Sequence, residues 1–423
     1  MMSSEDNEIL TRVGPGTAMG EFMRRFWMPV MLSNEIGGPD EAPVRIRILG
    51  ENLVAFRDSD GRAGLLDEHC PHRRASMFFG RNEECGLRCL YHGWKFDVNG
   101  ACVDMPSEPA DSNFADKVQI KAYPTQEKGG VLWAYMGPKE KMGEVPNFEW
   151  MSLGDDYHYV SRWHQNCNYA QSVEGEIDSA HVSFLHSRVD ELDEQSTALS
   201  GSFFACDTAP KWKVNETEYG LVLGARRTDA EGYYWRMNQW LYPFHSMIAP
   251  VPGVHTTNRM WVPIDDTHTS VICVSYDTGR PYTDAELQSW QKGERSHHLT
   301  QPGSLEPVAN YGNDYLIDRE VQRTQTYSGM PAIRAEDAAM VETARAIADR
   351  SLERLGSSDT TIIQMRKLMV EGAKALMQGI EPAAARGGSL YAVRSYSTVI
   401  QEDADFDELP VIIEAMAVAE AAE

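Results

Sequence analysis

Positive charge is scarce in this chain: 39 lysines and arginines face 63 aspartates and glutamates, a formal net charge of −24. Nucleic acid and anionic membrane surfaces both require a basic face, so neither is expected as a partner. Long apolar runs are missing as well. No stretch approaches the roughly 18 residues of a membrane span. The opening residues 1–7, MMSSEDN, are polar and acidic where a secretory signal would be basic and then apolar. These absences point to the cytoplasm. Cysteine is sparse, with seven residues at 70, 85, 89, 102, 167, 206 and 273. An odd number crowded between 70 and 102, without export signals, reads as metal ligation before disulfides. There is no internal repeat, no low-complexity tract and no GxGxxG dinucleotide fingerprint.

At 423 residues the chain outgrows a single core, which rarely exceeds roughly 250–300 residues. Residues 1–43 show helical patches broken by Gly14-Pro15-Gly16, and are expected as an N-terminal helical segment packed on the larger domain. From Val44 short strands take over. Residues 45–56 alternate, Asp58-Ser59-Asp60-Gly61 turns and residues 63–66 return, a hairpin signature. Asn99-Gly100 marks a second hairpin corner, residues 131–135 (VLWAY) a further strand, and Gly137-Pro138 the exit. Residues 44–138 are therefore predicted as a small all-β domain. Residues 139–423 mix the two element types. A helix is expected over 168–186, strands at 211–215, 220–227, 233–241, 258–262 and 270–276, and helices at 335–355 and 360–378. That order predicts an α+β fold whose larger domain has an antiparallel sheet flanked by helices.

Cys70-Pro-His72 and Cys89-Leu-Tyr-His92 form C-x-H, a 16-residue gap and C-x2-H. Two cysteines and two histidines suit tetrahedral zinc, but zinc fingers place their second pair on a helix as H-x3–5-H. Here each pair mixes Cys with His and sits in a loop off a hairpin, so each loop can supply one ligand to each of two irons. Two thiolates on one iron and two imidazoles on the other make a Rieske [2Fe–2S] centre, and CPHR and CLYHGWKFDVNG closely resemble its ligand loops. Cys85 and Cys102 lie outside the pattern and read as small core or loop residues.

A second constellation follows, with Asp178, His181 and His186. Two histidines and a carboxylate that leave positions open are the donor set of non-haem Fe(II) oxygenases. Five residues separate the histidines, a rotation of about 140° on a regular helix, so the rings converge only if the helix ends or takes a π-turn between them. Alone, the pair reads rather as two core histidines on an apolar helix; beside a Rieske motif, the iron reading prevails.

These residues, with Glu174-Gly-Glu-Ile-Asp178 before them, resemble the Rieske non-haem iron aromatic-ring-hydroxylating oxygenases. They are most similar to the oxygenase (alpha) component of the phthalate 4,5-dioxygenase-like branch. The opening EDNEILTRVGPGTAMGEFMRRFW and the late EDAAMVE and DRSLERLGSSDTTIIQMRKLM extend the likeness over most of the chain. The resemblance implies that His181 and His186 ligate a mononuclear iron, and that Asp178 bridges to a Rieske histidine, His92 of the partner subunit. It places the third ligand at the head of a late helix, where this chain reads Ala335-Glu336-Asp337. Positions 337, 341, 344, 348, 352 and 355 give independent support as an apolar stripe headed by Asp337, whereas Glu336, one step round, suits a solvated helix-start acid.

The resemblance also implies a separate NAD(P)H-dependent reductase bearing flavin and an iron–sulfur group, since this chain has neither a dinucleotide motif nor a second cysteine run. A locally basic patch for such an electron donor is compatible with the net charge. Head-to-tail association as a trimer or a dimer of trimers is expected. The expected reaction uses O2 on a small aromatic acid, either ring dihydroxylation of a phthalate-type diacid to a cis-dihydrodiol or O-demethylation of an aryl methyl ether. Arg226, Arg227, Arg236 and Arg259 are candidates to bind the carboxylate, beside the reading of each as a surface or edge-strand arginine. A non-catalytic Rieske electron carrier is the rival from another class, disfavoured by roughly 285 residues beyond the β domain.

Overall fold

A computed structural model of the chain describes residues 2–190, 204, 207–229, 232–250, 255–400, 416 and 418; Cys206 lies outside them. The small domain is built from two four-stranded antiparallel sheets. One runs Val44–Ile48, Glu51–Arg57, Ala63–Asp67, Ala122–Tyr123 in spatial order, and the other Arg81–Glu83, Gly86–Arg88, Lys95–Phe96, Cys102–Asp104. Turn chemistry sets the first hairpin: Asp58 Oδ1 accepts the amides of Asp60 and Arg62 at 3.1 and 2.8 Å, an Asx turn. At the Asn-Gly corner Gly100 has φ 86°, and a Cβ there would meet the Ile120 carbonyl oxygen at 2.2 Å, so only glycine fits. This domain has its own core, in which Val54, Leu66, Leu87 and Phe96 surround the buried Cys70 and Cys89.

The N-terminal segment is only partly helical. Helices α1 (Ser4–Thr11) and α2 (Ala18–Met23) begin at Ser3 and Thr17, whose hydroxyls accept the amides of Asp6 and Gly20, ordinary N-caps. Strand Trp27–Leu32 then pairs antiparallel with Val131–Tyr135. All five residues of Val131–Tyr135 are buried and belong to the large core together with Trp163, Trp240 and Val271. The sequence reading places this strand in the small domain; its side chains pack in a core that also takes Ile48, Leu53, Ala55 and Leu65 of the small domain's first sheet.

The larger domain centres on an eight-stranded antiparallel sheet. Its order is His158–Gln165, His268–Tyr276, Thr256–Asp265, His245–Ile248, Gly232–Leu241, Gly220–Asp229 and Lys211–Thr217, with Tyr396–Ile400 also paired to Gly232–Leu241. Around it lie α3 (Tyr169–Ile177), α4 (Val182–Leu185), α5 (Asp284–Gln291), α6 (Arg319–Thr324), α7 (Ile333–Thr343) and α8 (Thr360–Met377). Among the described residues no helix is long and apolar enough to cross a membrane.

Two helices expected from the sequence are broken. The helix over 168–186 stops at Asp178, whose Oδ1 accepts the Ala180 amide at 2.7 Å. The helix over 335–355 stops at Thr343, because Arg345 adopts a left-handed conformation (φ 82°) and Gln171 Nε2 donates to the carbonyls of Val341 and Arg345. The buried face of α7 is Ala335, Glu336, Ala338, Ala339 and Glu342, while Leu352 is 66% exposed. The apolar stripe headed by Asp337 is therefore not the packed face.

Candidate metal centres and substrate cavity

Both Cys/His loops close in the same way. Cys70 N–H donates to the Ala75 carbonyl and its own carbonyl accepts from Arg74; Cys89 N–H donates to Trp94 and its carbonyl accepts from Gly93. The fourth residue after each cysteine start, Arg74 (φ 61°) and Gly93 (φ 80°), is left-handed. The repeat brings like donors together. The two thiols are buried and hydrogen-bonded to each other, which pulls Cys89 down to about 6 and pushes Cys70 up. The rings of His72 and His92 lie 4.4 Å apart at 67°, and Trp94 stacks on His72 at 4.3 Å. Thiols face inward and imidazoles outward, with His72 exposed. That segregation suits a two-iron cluster with one thiolate-held and one imidazole-held metal. A single tetrahedral ion would have no use for it.

His181 and His186 cap the two ends of the single-turn helix α4, and His186 leaves helical geometry with φ −99° and ψ 14°. The departure cancels the rotation that a regular helix would impose, and the two Nε2 atoms approach to 3.2 Å. Asp337 Oδ1 lies 3.2 Å from His186 Nε2 and 3.5 Å from His181 Nε2. Donors in cis positions about a metal with bonds of about 2.1 Å stand about 3.0 Å apart, so the three atoms fit one face of an ion. Burial opposes charge on His181, but hydrogen bonds to Asp178 and Asp337 outweigh it and hold the imidazole up at about 9. Burial likewise opposes charge on Asp337, and Arg334 and His186 overcome it and keep the carboxyl well below its usual range. Asp178 Oδ2 stands 3.5 Å from His181 Nδ1.

Glu336 is placed differently from its sequence reading. It is 6% exposed, and His186 Nδ1 donates to its Oε2 at 2.5 Å. It is an internal partner of a site histidine rather than a solvated helix-start acid, because the first turn of α7 abuts the cavity.

The three-donor cluster opens into a cavity of about 340 Å3 walled by Val182, Ile248, Ala249, Pro250, Met330 and Ile333 among others. Of the four candidate arginines, Arg236 and Arg259 line it and Arg226 and Arg227 do not. Arg226 lies over the Tyr233 ring. Arg227 is buried and donates to the Ser179 and Asp207 carbonyls at 2.7 and 3.1 Å, holding the chain just after Asp178. Arg259 pairs with Glu176, which also takes Arg334 Nη1 at 3.1 Å; Arg334 Nη2 in turn reaches Asp337 Oδ2 at 2.6 Å. Arg236 has no acidic partner among the described residues; its guanidinium lies 5.4 Å from the Phe204 ring centroid, and its Nε is buried without a hydrogen bond. Burial lowers its pKa. Glu176 and Arg334 were missed by the sequence reading. The i,i+3 spacing of Arg334 and Asp337 on one helix was the available signal.

The model of the Rieske [2Fe-2S] domain family matches residues 26–124, and that of the LigXa C-terminal domain like family matches residues 134–423. The phthalate 4,5-dioxygenase oxygenase subunit of Pseudomonas putida is 39% identical over 418 residues, spanning 96% of this chain and 94% of that protein. The 5,5'-dehydrodivanillate O-demethylase oxygenase subunit of a Sphingobium species is 33% identical over 391 residues, 91% and 83% of the two chains. Among solved structures, the QL mutant of Pseudomonas putida CBB5 NdmA with theobromine superposes with a TM-score of 0.60 over 92% of this chain and 99% of that one. At 18% identity that likeness speaks for the fold. Matched by both domain families and by relatives along nearly its full length, the chain belongs to the Rieske non-haem iron oxygenases, as the oxygenase (alpha) subunit with a [2Fe–2S] cluster and a mononuclear iron.

Proposed function

We propose that this subunit oxidises an aromatic carboxylate in the cytoplasm, by ring dihydroxylation of a phthalate-type diacid to a cis-dihydrodiol, with electrons from a separate NAD(P)H-dependent reductase carrying flavin and an iron–sulfur group. Cys70, His72, Cys89 and His92 hold the cluster, and His181, His186 and Asp337 hold the iron. When bound, the cluster relays single electrons and the iron activates O2 for transfer to the substrate. The single observation that carries the substrate class is Arg236, a buried cation at the cavity wall with no acid of its own among the described residues. A guanidinium so placed is compensated by a planar anion that arrives with the substrate. Arg259 and Arg334 are committed to Glu176 and Asp337 and act on the ligand carboxylate rather than on substrate. The apolar wall from Val182, Ile248 and Pro250 packs the ring and excludes water.

The overall change consumes one O2, two electrons and two protons and leaves both oxygens on the ring. His72 and His92 face outward and would present the cluster's imidazole-held side to a protein surface. Asp178, half-buried beside His181, keeps a carboxylate oxygen for an imidazole of a neighbouring subunit, which supports head-to-tail assembly as a trimer or a dimer of trimers. A second reading is favoured by the 33% identical relative named as an O-demethylase. In it the same clamp presents a methoxyl carbon, and O2, two electrons and two protons yield a phenol, formaldehyde and water.

Turnover of phthalates, halobenzoates and methoxybenzoates with a surrogate reductase tests the proposal. A cis-dihydrodiol supports the first reading and formaldehyde the second. Oxidation of uncharged aromatics in preference to every acid would remove the carboxylate assignment.

A further inference from the structure

We infer that Glu336 is a positioning residue for the mononuclear iron, a second carboxylate that sets the tautomer of His186 and ties the metal to the cavity wall. The inference rests on the reading that His181, His186 and Asp337 hold the iron. Each of the two histidines has a carboxylate behind it, but the two contacts are unlike. Asp178 stands 3.5 Å from His181 Nδ1 and is half-buried. Glu336 accepts from His186 Nδ1 at 2.5 Å and is almost wholly enclosed. No arginine or lysine neutralises Glu336 among the described residues; its other oxygen, Oε1, accepts the Ser328 hydroxyl.

That arrangement dictates which nitrogen of His186 is free. With the Nδ1 proton given to Glu336, the lone pair sits on Nε2, the atom 3.2 Å from both Asp337 Oδ1 and His181 Nε2. A carboxylate on the far nitrogen also makes the imidazole a stronger donor and fixes its plane. Ser328 extends the contact outward. Its oxygen accepts the Met330 amide at 3.1 Å, and Met330 lines the cavity. The next residue back, Tyr327, donates its amide to the Ser187 carbonyl, beside His186. The wall loop and the metal donor thus share one carboxylate. The two acids divide the labour: Asp178 is left partly open toward a neighbouring subunit, and Glu336 anchors the site from inside its own chain.

Fe(II) affinity tests this without turnover. The cluster-loaded protein is stripped of mononuclear iron anaerobically, and Fe(II) alone is titrated against a ferrous chelator, with cluster absorbance and thermal midpoint followed in the same samples. Glu336→Ala is expected to weaken Fe(II) binding by roughly 10–100-fold while the cluster is retained. Glu336→Gln, which keeps an acceptor for the Nδ1 proton but no charge, is expected to fall between Ala and wild type, and Ser328→Ala to lose less. Should Glu336→Ala not fold, Glu336→Gln decides. Wild-type affinity in the folded Glu336 variants would overturn the inference and leave the iron site standing. A wild-type protein that takes up no Fe(II) sensitive to Asp337→Ala would instead overturn the iron reading, and this inference with it.

Discussion

Arg236 and Arg259 line the same cavity, yet among the described residues only Arg259 of the two meets a carboxylate, that of Glu176. The difference separates their expected phenotypes. Arg236→Gln removes a charge-assisted hydrogen bond worth about 1.5–3 kcal/mol, so KM for aromatic acids should rise about 10- to 100-fold in steady-state assays, with uncharged aromatics unaffected. Unchanged KM for every acid would remove Arg236 from substrate binding. Asp178→Asn should retain both metals by analysis yet turn over at least about 10-fold more slowly; normal turnover would rule out its bridging role. At this scale the sequence was legible where spacing encodes chemistry, as in the two Cys/His pairs and in His181 and His186. It was less legible where direction matters. Glu336 and Asp337 are adjacent, and only the aim of the start of α7 sends Asp337 to the Nε2 atoms of His181 and His186 and Glu336 to His186 Nδ1. Four arginines looked alike in the sequence, and burial and pairing divide them.

The elements that carry the site are short and held by buried charge. Glu174 on α3 accepts from Arg350 at 2.9 Å and from Arg366 of α8 at 2.8 and 2.9 Å, fixing the helix that ends at Asp178. Removing its charge leaves the buried Arg350 without an acid among the described residues and Arg366 with Glu353 alone, so Glu174→Gln should lower unfolding free energy by about 3–5 kcal/mol in denaturant titrations. Burial opposes the ionised form, but Arg350 and Arg366 outweigh it and keep the carboxyl below its ordinary 4.5. A depressed folded-state pKa contributes stability that is complete above about 4.5 and lost as pH falls through the folded value. Wild type should therefore lose stability on acidification below pH 4.5, with a shallower slope in Glu174→Gln; equal slopes would contradict the assignment. The central strands were readable from their β-branched and aromatic runs. The breaks in the helices at Asp178 and Thr343 were not, because an Asx turn, a left-handed Arg345 and a capping Gln171 impose them, and tertiary contacts decide where those apply. Strand His245–Ile248 is too short to show a period, and His158–Gln165 (HYVSRWHQ) has no strict alternation.

Two main cores share a seam, with three smaller apolar clusters beside them among the described residues. The thiols sit in the smaller core, while Trp27–Leu32 and Val131–Tyr135 join the larger one together with Leu53 and Leu65 of the small domain's first sheet. Turns mark the cluster domain in the sequence, whereas a strand buried on both faces, such as Val131–Tyr135, does not announce which core it joins. If electrons cross between subunits, dilution or interface variants that yield monomers should keep full metal content and lose nearly all turnover. Monomers with undiminished activity would contradict head-to-tail transfer.

Two iron sites of different kinds in one chain underlie every role assigned above. Metal and sulfide analysis of anaerobically purified protein, with an EPR spectrum after dithionite reduction, measures both at once. The account predicts about three irons and two sulfides per chain and a low-average-g Rieske signal, with Asp337→Ala losing about one iron and no sulfide. Zinc without sulfide would contradict it.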